Sequence, residues 1–280
     1  MNVFVVGAGQ MGGGIAQVLA SAGKITYLYD VNRELVDKRM AFIERMLTKD
    51  VDKGKITNEQ KAAALQNLVP STNLRDAADC DFVIEAIIEN LDCKENVFKD
   101  LDAITRPTCI LATNTSSLPI TEIAACTRRP EKVVGMHFMN PVPVMKLVEI
   151  IRGIATSGDT YTAVHNFALE LGKTPVEVRD VPGFVSNRVL QVMINEAIYC
   201  VYEGVASVEG IDTVMRLGMN HPMGPLQLAD FIGLDTVFAI LEVMHTGYGD
   251  PKYRPCPLLR QYVKAGWLGK KSGRGFYRYE

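Results

Sequence analysis

Short β-branched runs alternate with longer segments of helical periodicity along the first two thirds of the chain. This alternation predicts a Rossmann-type, doubly wound α/β sheet of mainly parallel strands. The segments predicted as strands are Asn2–Val6, Ile25–Asp30, Asp81–Ile87, Cys109–Thr113, Lys132–Phe138, Met145–Ile151 and Val176–Val178. The segments predicted as helices are Gln10–Ala22, Lys94–Ile104, Leu118–Cys126 and Thr160–Leu171, together with a long basic helical arm over about 34–67.

The pattern changes at the turn signal Pro182-Gly183. Beyond this turn no convincing strand pattern occurs until the last few residues, which predicts an all-α domain. The helix Val189–Tyr202 is apolar nearly all round, which predicts a buried helix and is compatible with a subunit interface. We place the domain boundary near Phe184, with an α/β domain over 1–184 and an all-α domain over 185–280. The other helices predicted there are Val208–Leu217 and Pro225–Met244.

The composition is that of an ordinary globular protein, with 48% hydrophobic residues, 22% charged residues and a formal net charge of -2. This charge balance gives no electrostatic reason to expect nucleic acid or an anionic membrane surface as a partner. No stretch reaches the roughly 20 apolar residues that a membrane-spanning helix needs. We therefore expect neither a nucleic-acid partner nor a membrane partner.

Cysteine, histidine and the N-terminus bear on location and on metals. The six cysteines are scattered without a C-x-x-C pair, which predicts reduced thiols in a cytoplasmic protein. Met1–Val6 runs directly into a glycine-rich turn without a basic n-region, so no signal peptide is expected. The four histidines are well separated and lack the spacing of metal ligands, so no metal site is expected.

A glycine-rich motif follows the first predicted strand directly, in the run Gly7-Ala8-Gly9-Gln10-Met11-Gly12. Its glycines allow a tight turn and let the backbone approach a pyrophosphate, which would then lie at the positive N-terminus of the following helix. The motif alone is short, but a strand before it and a helix after it raise its specificity. It predicts a dinucleotide-binding turn; the less specific interpretation is a tight turn without a ligand.

An acid at the end of the second predicted strand bears on the choice of dinucleotide. Asp30 lies where a carboxylate accepts hydrogen bonds from the ribose 2′-hydroxyl and repels a 2′-phosphate. The expected cofactor is therefore NAD. Arg33 is close enough in the sequence to leave NADP open as an alternative.

Polar residues follow the fourth predicted strand, in the run Asn114-Thr115-Ser116-Ser117. Ligands of open α/β sheets bind beyond the carboxyl ends of the strands, which makes Ser116 a candidate site residue. One of these serines is equally suited to cap the helix predicted from Leu118. The sequence leaves both interpretations open.

A histidine and a glutamate stand in two neighbouring apolar segments. His137 ends one predicted strand and Glu149 lies within the next, on either side of the turn-forming linker Asn140-Pro141-Val142-Pro143. A buried carboxylate needs a partner because unpaired burial is costly. If the two strands form a hairpin, His137 and Glu149 face each other and the imidazole can exchange a proton with a substrate hydroxyl. The pair favours an alcohol dehydrogenase, although a histidine ending a strand more often has a structural role.

Asn187 is a further polar candidate, near the predicted domain boundary. Its amide is suited either to bind a substrate oxygen or to cap the next helix. The residue alone does not decide between these roles.

Several long and dissimilar motifs occur in order along the whole chain. They are Gly7–Gly12, Glu85–Asn90, Asn114–Leu118, His137–Pro141, Pro182–Arg188, His221–Pro225 and Gly273–Tyr277. With these motifs the chain resembles the 3-hydroxyacyl-CoA dehydrogenase family, most closely its short bacterial members, the 3-hydroxybutyryl-CoA dehydrogenases.

The resemblance implies reversible, NAD-dependent oxidation of a (3S)-3-hydroxyacyl-CoA, such as 3-hydroxybutyryl-CoA, to the 3-ketoacyl-CoA. It implies His137 as the general acid/base with Glu149 as its orienting partner. Ser116 and Asn187 would bind the oxygens of the substrate, and Lys53 matches a coenzyme A contact. A homodimer through the C-terminal helices is also implied. The positions that match cofactor contacts are Gly7, Gly9, Gln10, Met11, Gly12, Asp30, Glu89, Lys94, Asn140 and Lys271.

The chain departs from the family pattern at Met46, where the family often carries a hydroxyl for coenzyme A, and at Thr113, which replaces a common serine. Other proteins with a related fold are the β-hydroxyacid and imine dehydrogenases, which rely on a lysine in the second domain, and a non-enzymatic lens protein. The His137–Glu149 pair argues against the former. The presence of Ser116 and Asn187 beside that pair argues for an enzyme.

Overall fold

The computed structural model describes residues 1–279. Contacts along the chain divide it into two compact units, of which the first is Met1–Asp180 and the second begins at Val181. The first unit is built on a β-sheet, and the second is built from helices. The predicted fold class, a Rossmann-type sheet followed by an all-α domain, is confirmed.

Among residues 1–279, the first unit contains an eight-stranded sheet in the order β3-β2-β1-β4-β5-β6-β7-β8. Neighbouring strands are parallel except for β6 and β7, which are antiparallel. The strand order reverses between β1 and β4, the switch point at which open α/β sheets bind ligands. The strands are β1 Asn2–Val6, β2 Ile25–Tyr29, β3 Leu68–Ser71, β4 Phe82–Glu85, β5 Ile110–Thr113, β6 Val133–Phe138, β7 Leu147–Arg152 and β8 Thr174–Arg179.

The strand β3 was missed by the sequence prediction, which placed the next strand after β2 at Asp81. β3 pairs with β2 and lies at the edge of the sheet. It contains Pro70, which lowers the strand signal, because proline cannot donate to a ladder and is tolerated mainly at sheet edges. Its position at the edge explains why the proline is accommodated.

Helices of the first unit connect these strands. The predicted arm over 34–67 is two helices, because Gly54 adopts a left-handed φ of 67° just after the first. Thr57 then caps the second in a reciprocal capping box with Gln60. The predicted arm is therefore helical on both sides of this break and interrupted at it. The helices are α1 Gln10–Ser21, α2 Arg33–Asp52, α3 Asn58–Gln66, α4 Leu91–Ile104, α5 Ile120–Ala125 and α6 Gly158–Glu170.

The core of the first unit lies on both faces of the sheet. Val3 and Val5 of β1 belong to one cluster with Ile15 and Leu19 of α1. Phe4, between the two valines, is also completely buried. Because side chains alternate between the faces of a strand, both faces of β1 are covered, as is usual for parallel strands. The site loops that follow the strands are therefore carried by a rigid sheet.

The second unit packs a helical core of its own. Ile194 and Ile198 of its first helix are fully buried, whereas Val189 of the same helix is 66% exposed. In the single chain the helix therefore buries one face, and burial of its other face at a subunit interface stays a prediction. The predicted helix Pro225–Met244 is divided at Gly233, which has a φ of 103°. The helices are α7 Ser186–Tyr202, α8 Val208–Gly218, α9 Pro225–Ile232, α10 Leu234–Tyr248 and α11 Pro257–Lys264.

Candidate active site

The glycine-rich turn joins β1 to α1, at the carboxyl end of the central strand. Gly7 has a φ of 106°, and a Cβ there would lie 2.6 Å from the backbone oxygen of Ala86. A Cβ on Gly12 would lie 1.8 Å from the Gly7 oxygen. Any larger residue at either position would displace the backbone, so the turn needs glycine at both places. The predicted strand, turn and helix are confirmed.

The start of α1 has the properties of an anion site. Its N-cap is Gly9, with no side-chain cap and no acidic residue in the first helical turn. A Cβ on Gly9 would meet nothing within 4 Å, so space is open in front of the turn. The first N–H groups of a helix attract negative charge, and the residues present therefore fit the pyrophosphate of a dinucleotide.

Two further predicted cofactor residues meet beside this turn. The Gln10 amide donates a hydrogen bond to Asn140 Oδ1 at 2.9 Å. Met11 is partly buried and packs against the core of the first unit. Gln10 and Asn140 thus link the start of α1 to the linker between β6 and β7.

Asp30 follows β2 directly and is fixed by backbone N–H groups. One carboxylate oxygen accepts from the Ala8 N–H at 2.9 Å and the other from the Asn32 N–H at 3.1 Å. The carboxylate is therefore held at the glycine turn, as expected for a residue that reads a ribose. Arg33, which left NADP open in the sequence, pairs instead with Asp37 at 2.8 Å.

The loop after β5 is held by a carboxylate from the segment after β4. Glu89 Oε1 accepts from the Thr115 hydroxyl at 2.6 Å and from the Ser116 N–H at 2.8 Å. The Ser116 hydroxyl donates to the same oxygen at 3.1 Å. Asn114 Oδ1 accepts from the Phe138 N–H at 2.9 Å, which connects the loop to the end of β6. Ser116 is therefore carried by a fixed loop beside the strand that ends near His137.

The capping interpretation of the serine run is wrong. α5 begins at Ile120, and no side chain of its N-cap Pro119 makes a capping bond. Instead Asp180 accepts from the Ile120 N–H at 3.0 Å and the Thr121 N–H at 2.7 Å. A residue 60 positions beyond Ile120 in the sequence thus supplies the negative charge that this helix start favours. The sequence offered no local signal for this contact.

A buried ion pair lies beneath the same loop. Lys94 Nζ lies 2.6 Å from Glu85 Oε1 and 3.5 Å from Glu89 Oε2, and the Lys94 side chain is 1% exposed. Glu85 Oε2 accepts from the Thr113 hydroxyl at 2.6 Å. Lys94, predicted as a cofactor contact, has its ammonium buried between two carboxylates. Glu85 is a site residue that the sequence reasoning missed, although an acid ending the apolar run Phe82–Glu85 is itself a signal.

Lys94 affects the loop through Glu89, because its positive charge favours the ionised form of the Glu89 carboxyl. Burial alone would raise the pKa of the Glu89 carboxyl, but the nearby Lys94 charge and the hydrogen bonds from the loop hold this pKa below its usual value. Glu89 is therefore ionised at neutral pH. An ionised acceptor makes stronger hydrogen bonds with the loop than a neutral one would.

His137 and Glu149 face each other across the predicted hairpin. β6 and β7 are antiparallel, with His137 directly opposite Glu149 in register. His137 Nδ1 lies 2.8 Å from Glu149 Oε2. The histidine is 8% and the glutamate 2% exposed. The carboxylate orients the ring through Nδ1, so Nε2 is the nitrogen on the opposite side of the ring from Glu149.

The linker of this hairpin is fixed by Lys173, the residue just before β8. Lys173 Nζ donates to the Val142 oxygen at 2.5 Å and to the Met145 oxygen at 2.8 Å. Burial, together with the nearby Lys146 charge, lowers the pKa of Lys173. These bonds fix the linker that carries Asn140. Lys173 was not recognised from the sequence.

The remaining predicted site residues belong to other elements. Lys53 is the C-terminal cap of α2 in the first unit, on the same helix as the half-buried Met46. In the second unit, Asn187 lies inside the first turn of α7, so it is not the N-cap residue, which is Val185. Lys271 pairs with Asp235 at 2.7 Å.

Residues 1–279 lack two features, a membrane-spanning helix and a metal-binding cluster. No helix among them is long and apolar enough to cross a membrane. The same residues contain no group of three or more His, Cys, Asp or Glu side chains that would hold a metal ion.

The glycine turn, the carboxylate of Asp30 held against it and the paired histidine are typical of an NAD-dependent oxidoreductase on a Rossmann-type sheet, which is the class of this protein. Residues 2–181 match the NAD-binding domain of 3-hydroxyacyl-CoA dehydrogenase, and residues 183–279 match the C-terminal domain of the same family. The chain therefore belongs to the 3-hydroxyacyl-CoA dehydrogenase family, and its cofactor is NAD.

Named relatives agree over the full length of the chain. A probable 3-hydroxybutyryl-CoA dehydrogenase of Bacillus subtilis is 63% identical, over 100% of this chain and 97% of that protein. The human mitochondrial hydroxyacyl-coenzyme A dehydrogenase is 42% identical, over 100% of this chain and 91% of that protein. The crystal structure of (S)-3-hydroxybutyryl-CoA dehydrogenase from Ralstonia eutropha is 49% identical and superimposes with a TM-score of 0.98, covering 100% of this chain and 99% of that one. The expectation of an NAD-dependent dehydrogenase of this family is confirmed.

Proposed function

We propose that the chain oxidises (3S)-3-hydroxybutyryl-CoA reversibly to acetoacetyl-CoA, with His137 as the general acid/base. The observation that carries this proposal is the buried contact of 2.8 Å between His137 Nδ1 and Glu149 Oε2. A histidine whose one ring nitrogen lies against a carboxylate oxygen is suited to take a proton from a hydroxyl group at its other nitrogen, because the carboxylate stabilises the imidazolium that forms. The short acyl chain rests on the names of relatives at 63% and 50% identity.

The cofactor would be held by the turn and by the segments around it. Backbone N–H groups at the start of α1 would bind the pyrophosphate, and Asp30 would bind the ribose. The chemistry that NAD supplies when bound is acceptance of a hydride from C3 of the substrate. The residues proposed to contact it are Gly7, Gly9, Gln10, Met11, Gly12, Asp30, Glu89, Lys94, Asn140 and Lys271.

The substrate oxygens would be bound by Ser116 and Asn187, with Lys53 meeting coenzyme A. For Ser116 the support is its fixed position, since both its N–H and its hydroxyl bond to Glu89. The N–H bond to Glu89 fixes the residue, and the hydroxyl would turn its one O–H from Glu89 to donate to the keto oxygen as that oxygen gains charge. For Asn187 and Lys53 the support is the family resemblance of the surrounding motifs.

Assembly and location are also part of the proposal. A homodimer through the second unit is supported by exposed apolar side chains on α7 and α8, such as Val189 and Leu217, which are 66% and 81% exposed. A cytoplasmic location is supported by the free thiol state of the cysteines.

The test is NADH oxidation by the purified protein with acetoacetyl-CoA, in parallel with free acetoacetate and with NADPH. We expect rapid loss of NADH with the thioester, little with the free acid, and a lower rate with NADPH. No loss of NADH with acetoacetyl-CoA, from protein that still binds NADH, would reject the proposed reaction. Equal rates with thioester and free acid would reject the role of coenzyme A.

A further inference from the structure

We propose that Arg39 is a phosphate-binding residue of the dinucleotide site. The inference deepens the proposed function, since it rests on the cofactor lying against the turn between β1 and α1. Arg39 belongs to α2, and it has no counterpart among the cofactor residues already named. Its side chain reaches the turn from the neighbouring helix.

The stem of Arg39 lies directly against α1. A Cβ on Gly13 would be 2.1 Å from Arg39 Cδ, so the absence of a side chain at Gly13 makes the path of the arginine possible. At the end of this path Arg39 Nε donates to the Ala8 backbone oxygen at 3.1 Å. Ala8 is also the residue whose N–H bonds to Asp30. The guanidinium is therefore fixed at the residue that links the glycine turn to the ribose-facing carboxylate.

The remaining donors of this guanidinium are available to a ligand. An arginine carries five N–H donors, and within residues 1–279 the hydrogen bond that Arg39 makes is the one from Nε. The Phe42 ring lies 5.1 Å from the guanidinium carbon and covers one side of it. A planar group held at Nε and by a ring presents its terminal nitrogens in a defined direction, which suits two-point binding of a phosphate.

The charge of Arg39 is also suited to an anion. Among the described residues no carboxylate forms a salt bridge with Arg39, whereas Arg33 on the same helix is paired with Asp37 at 2.8 Å. Burial lowers the pKa of Arg39, which means that its charged form is partly desolvated. The adjacent start of α1 is itself positive and has no acidic residue in its first turn. Two positive groups side by side are stabilised when a phosphate lies between them.

Two phosphates of a nicotinamide dinucleotide have this chemistry, the bridging pyrophosphate and the 2′-phosphate of NADP. If Arg39 binds the pyrophosphate, it strengthens the binding of NADH and NADPH alike. If Arg39 binds the 2′-phosphate, its positive charge offsets part of the repulsion between that phosphate and Asp30. The two sources are separated by comparing NADH with NADPH.

The experiment measures the dissociation constants of NADH and NADPH by nucleotide fluorescence, without any thioester, for wild type, Arg39→Met and Arg39→Lys. Methionine keeps an apolar stem against Gly13 and removes the charge, while lysine keeps the charge. The matched control is Arg45→Met, since Arg45 lies on the same helix and also stacks on Phe42, at 5.2 Å. We expect Arg39→Met to weaken binding about tenfold, the loss of a charge-assisted hydrogen bond, and the control to change it less than twofold.

Each outcome bears on the proposal. An equal loss for both nucleotides assigns the pyrophosphate, and a loss confined to NADPH assigns the 2′-phosphate. Recovery in Arg39→Lys, and a loss that shrinks in high salt, support a charge contact. A change below twofold in Arg39→Met would overturn it. The binding experiment contains no thioester, so it tests the role of Arg39 and not the proposed reaction. The acetoacetyl-CoA assay with the wild-type protein tests the reaction separately.

Discussion

Two carboxylate arrangements support the candidate site, and they act on different kinds of group. On β7, Glu149 contacts the ring of His137, a group that gains and loses a proton. Under the loop after β5, Glu89 accepts hydrogen bonds from N–H and O–H groups that keep their protons at neutral pH. Glu89 is in turn backed by the buried Lys94, which also pairs with Glu85.

The difference separates chemistry from positioning. A carboxylate beside an imidazole changes how readily the ring carries a proton, so its loss should appear mainly in turnover. A carboxylate that accepts hydrogen bonds from the N–H and O–H groups of the loop fixes the position of Ser116. Its loss should therefore lower the substrate affinity and the stability of the fold. Substitutions of these residues can therefore be sorted by which measured quantity they change.

The largest effect is expected at His137. In His137→Gln the ring that exchanges the proton is removed, and turnover of acetoacetyl-CoA should fall by roughly two to four orders of magnitude. NADH binding should stay near that of wild type, because the turn that would bind it lies elsewhere in the first unit. The control is His165→Gln on α6, a histidine that contacts Tyr161 and no proposed site residue. Turnover of His137→Gln within tenfold of wild type would remove His137 from the mechanism.

The pair could be predicted from the sequence because its two strands are joined by a short linker. Once Asn140–Pro143 is taken as a turn, the antiparallel register places Glu149 opposite His137. The cost of burying an unpaired carboxylate supplies the second constraint. Local chain geometry and one burial argument are therefore sufficient for this part of the site.

The loop network could not be predicted in the same way. Its members come from a strand end, a helix and a loop, which meet because β4 and β5 are neighbours in the sheet. No periodic pattern relates Glu85 to Thr113 or Glu89 to Ser116. The capping of α5 by Asp180 was missed for the same reason, since Asp180 lies 60 positions from Ile120 in the sequence. The missed strand β3 is a different case, in which Pro70 obscured a local signal.

The next largest effect on turnover is expected at Glu149. Glu149→Gln keeps the size of the side chain but removes the charge that stabilises the imidazolium, so turnover should fall roughly a hundredfold. The Michaelis constant for acetoacetyl-CoA should change little, since Glu149 is proposed to act through His137. The control is Glu177→Gln on β8, because Glu177 forms a half-exposed salt bridge with Arg152 at 3.0 Å. A variant that changes the Michaelis constant more than turnover would place Glu149 with the positioning residues.

At Glu85 the expected effect is on stability. Glu85→Gln leaves the Lys94 ammonium buried without its nearest charge partner, which should lower the free energy of unfolding by about 3–5 kcal/mol. Denaturant unfolding checks this value. The double variant Glu85→Gln with Lys94→Met removes both charges and should recover part of the loss. If the single variant lies within about 1 kcal/mol of wild type, the ion pair does not support the loop as described.

The smallest effect on stability is expected at Glu89, and it can be recognised because it depends on pH. The pKa of Glu89 is lowered from its usual value of 4.5, so at acid pH Glu89 binds fewer protons in the folded chain than in the unfolded chain. Its contribution to stability is therefore complete above that usual value and is lost as the pH falls through the lower folded value. The gap in melting temperature between wild type and Glu89→Gln should be largest near neutral pH and should close as the solution becomes more acidic.

A matched variant tests whether this acid dependence belongs to the loop. Glu95→Gln changes a carboxylate on α4 that is paired with Lys99 at 3.4 Å, near the surface of the first unit. We expect its gap in melting temperature to be small at every pH, because surface pairs contribute little. A gap for Glu89→Gln that stays constant down to acid pH would mean that the neutral carboxyl holds the loop as well as the ionised one. In that case Lys94 would stabilise Glu85 alone, and the position of Ser116 would depend on hydrogen bonding without a fixed charge.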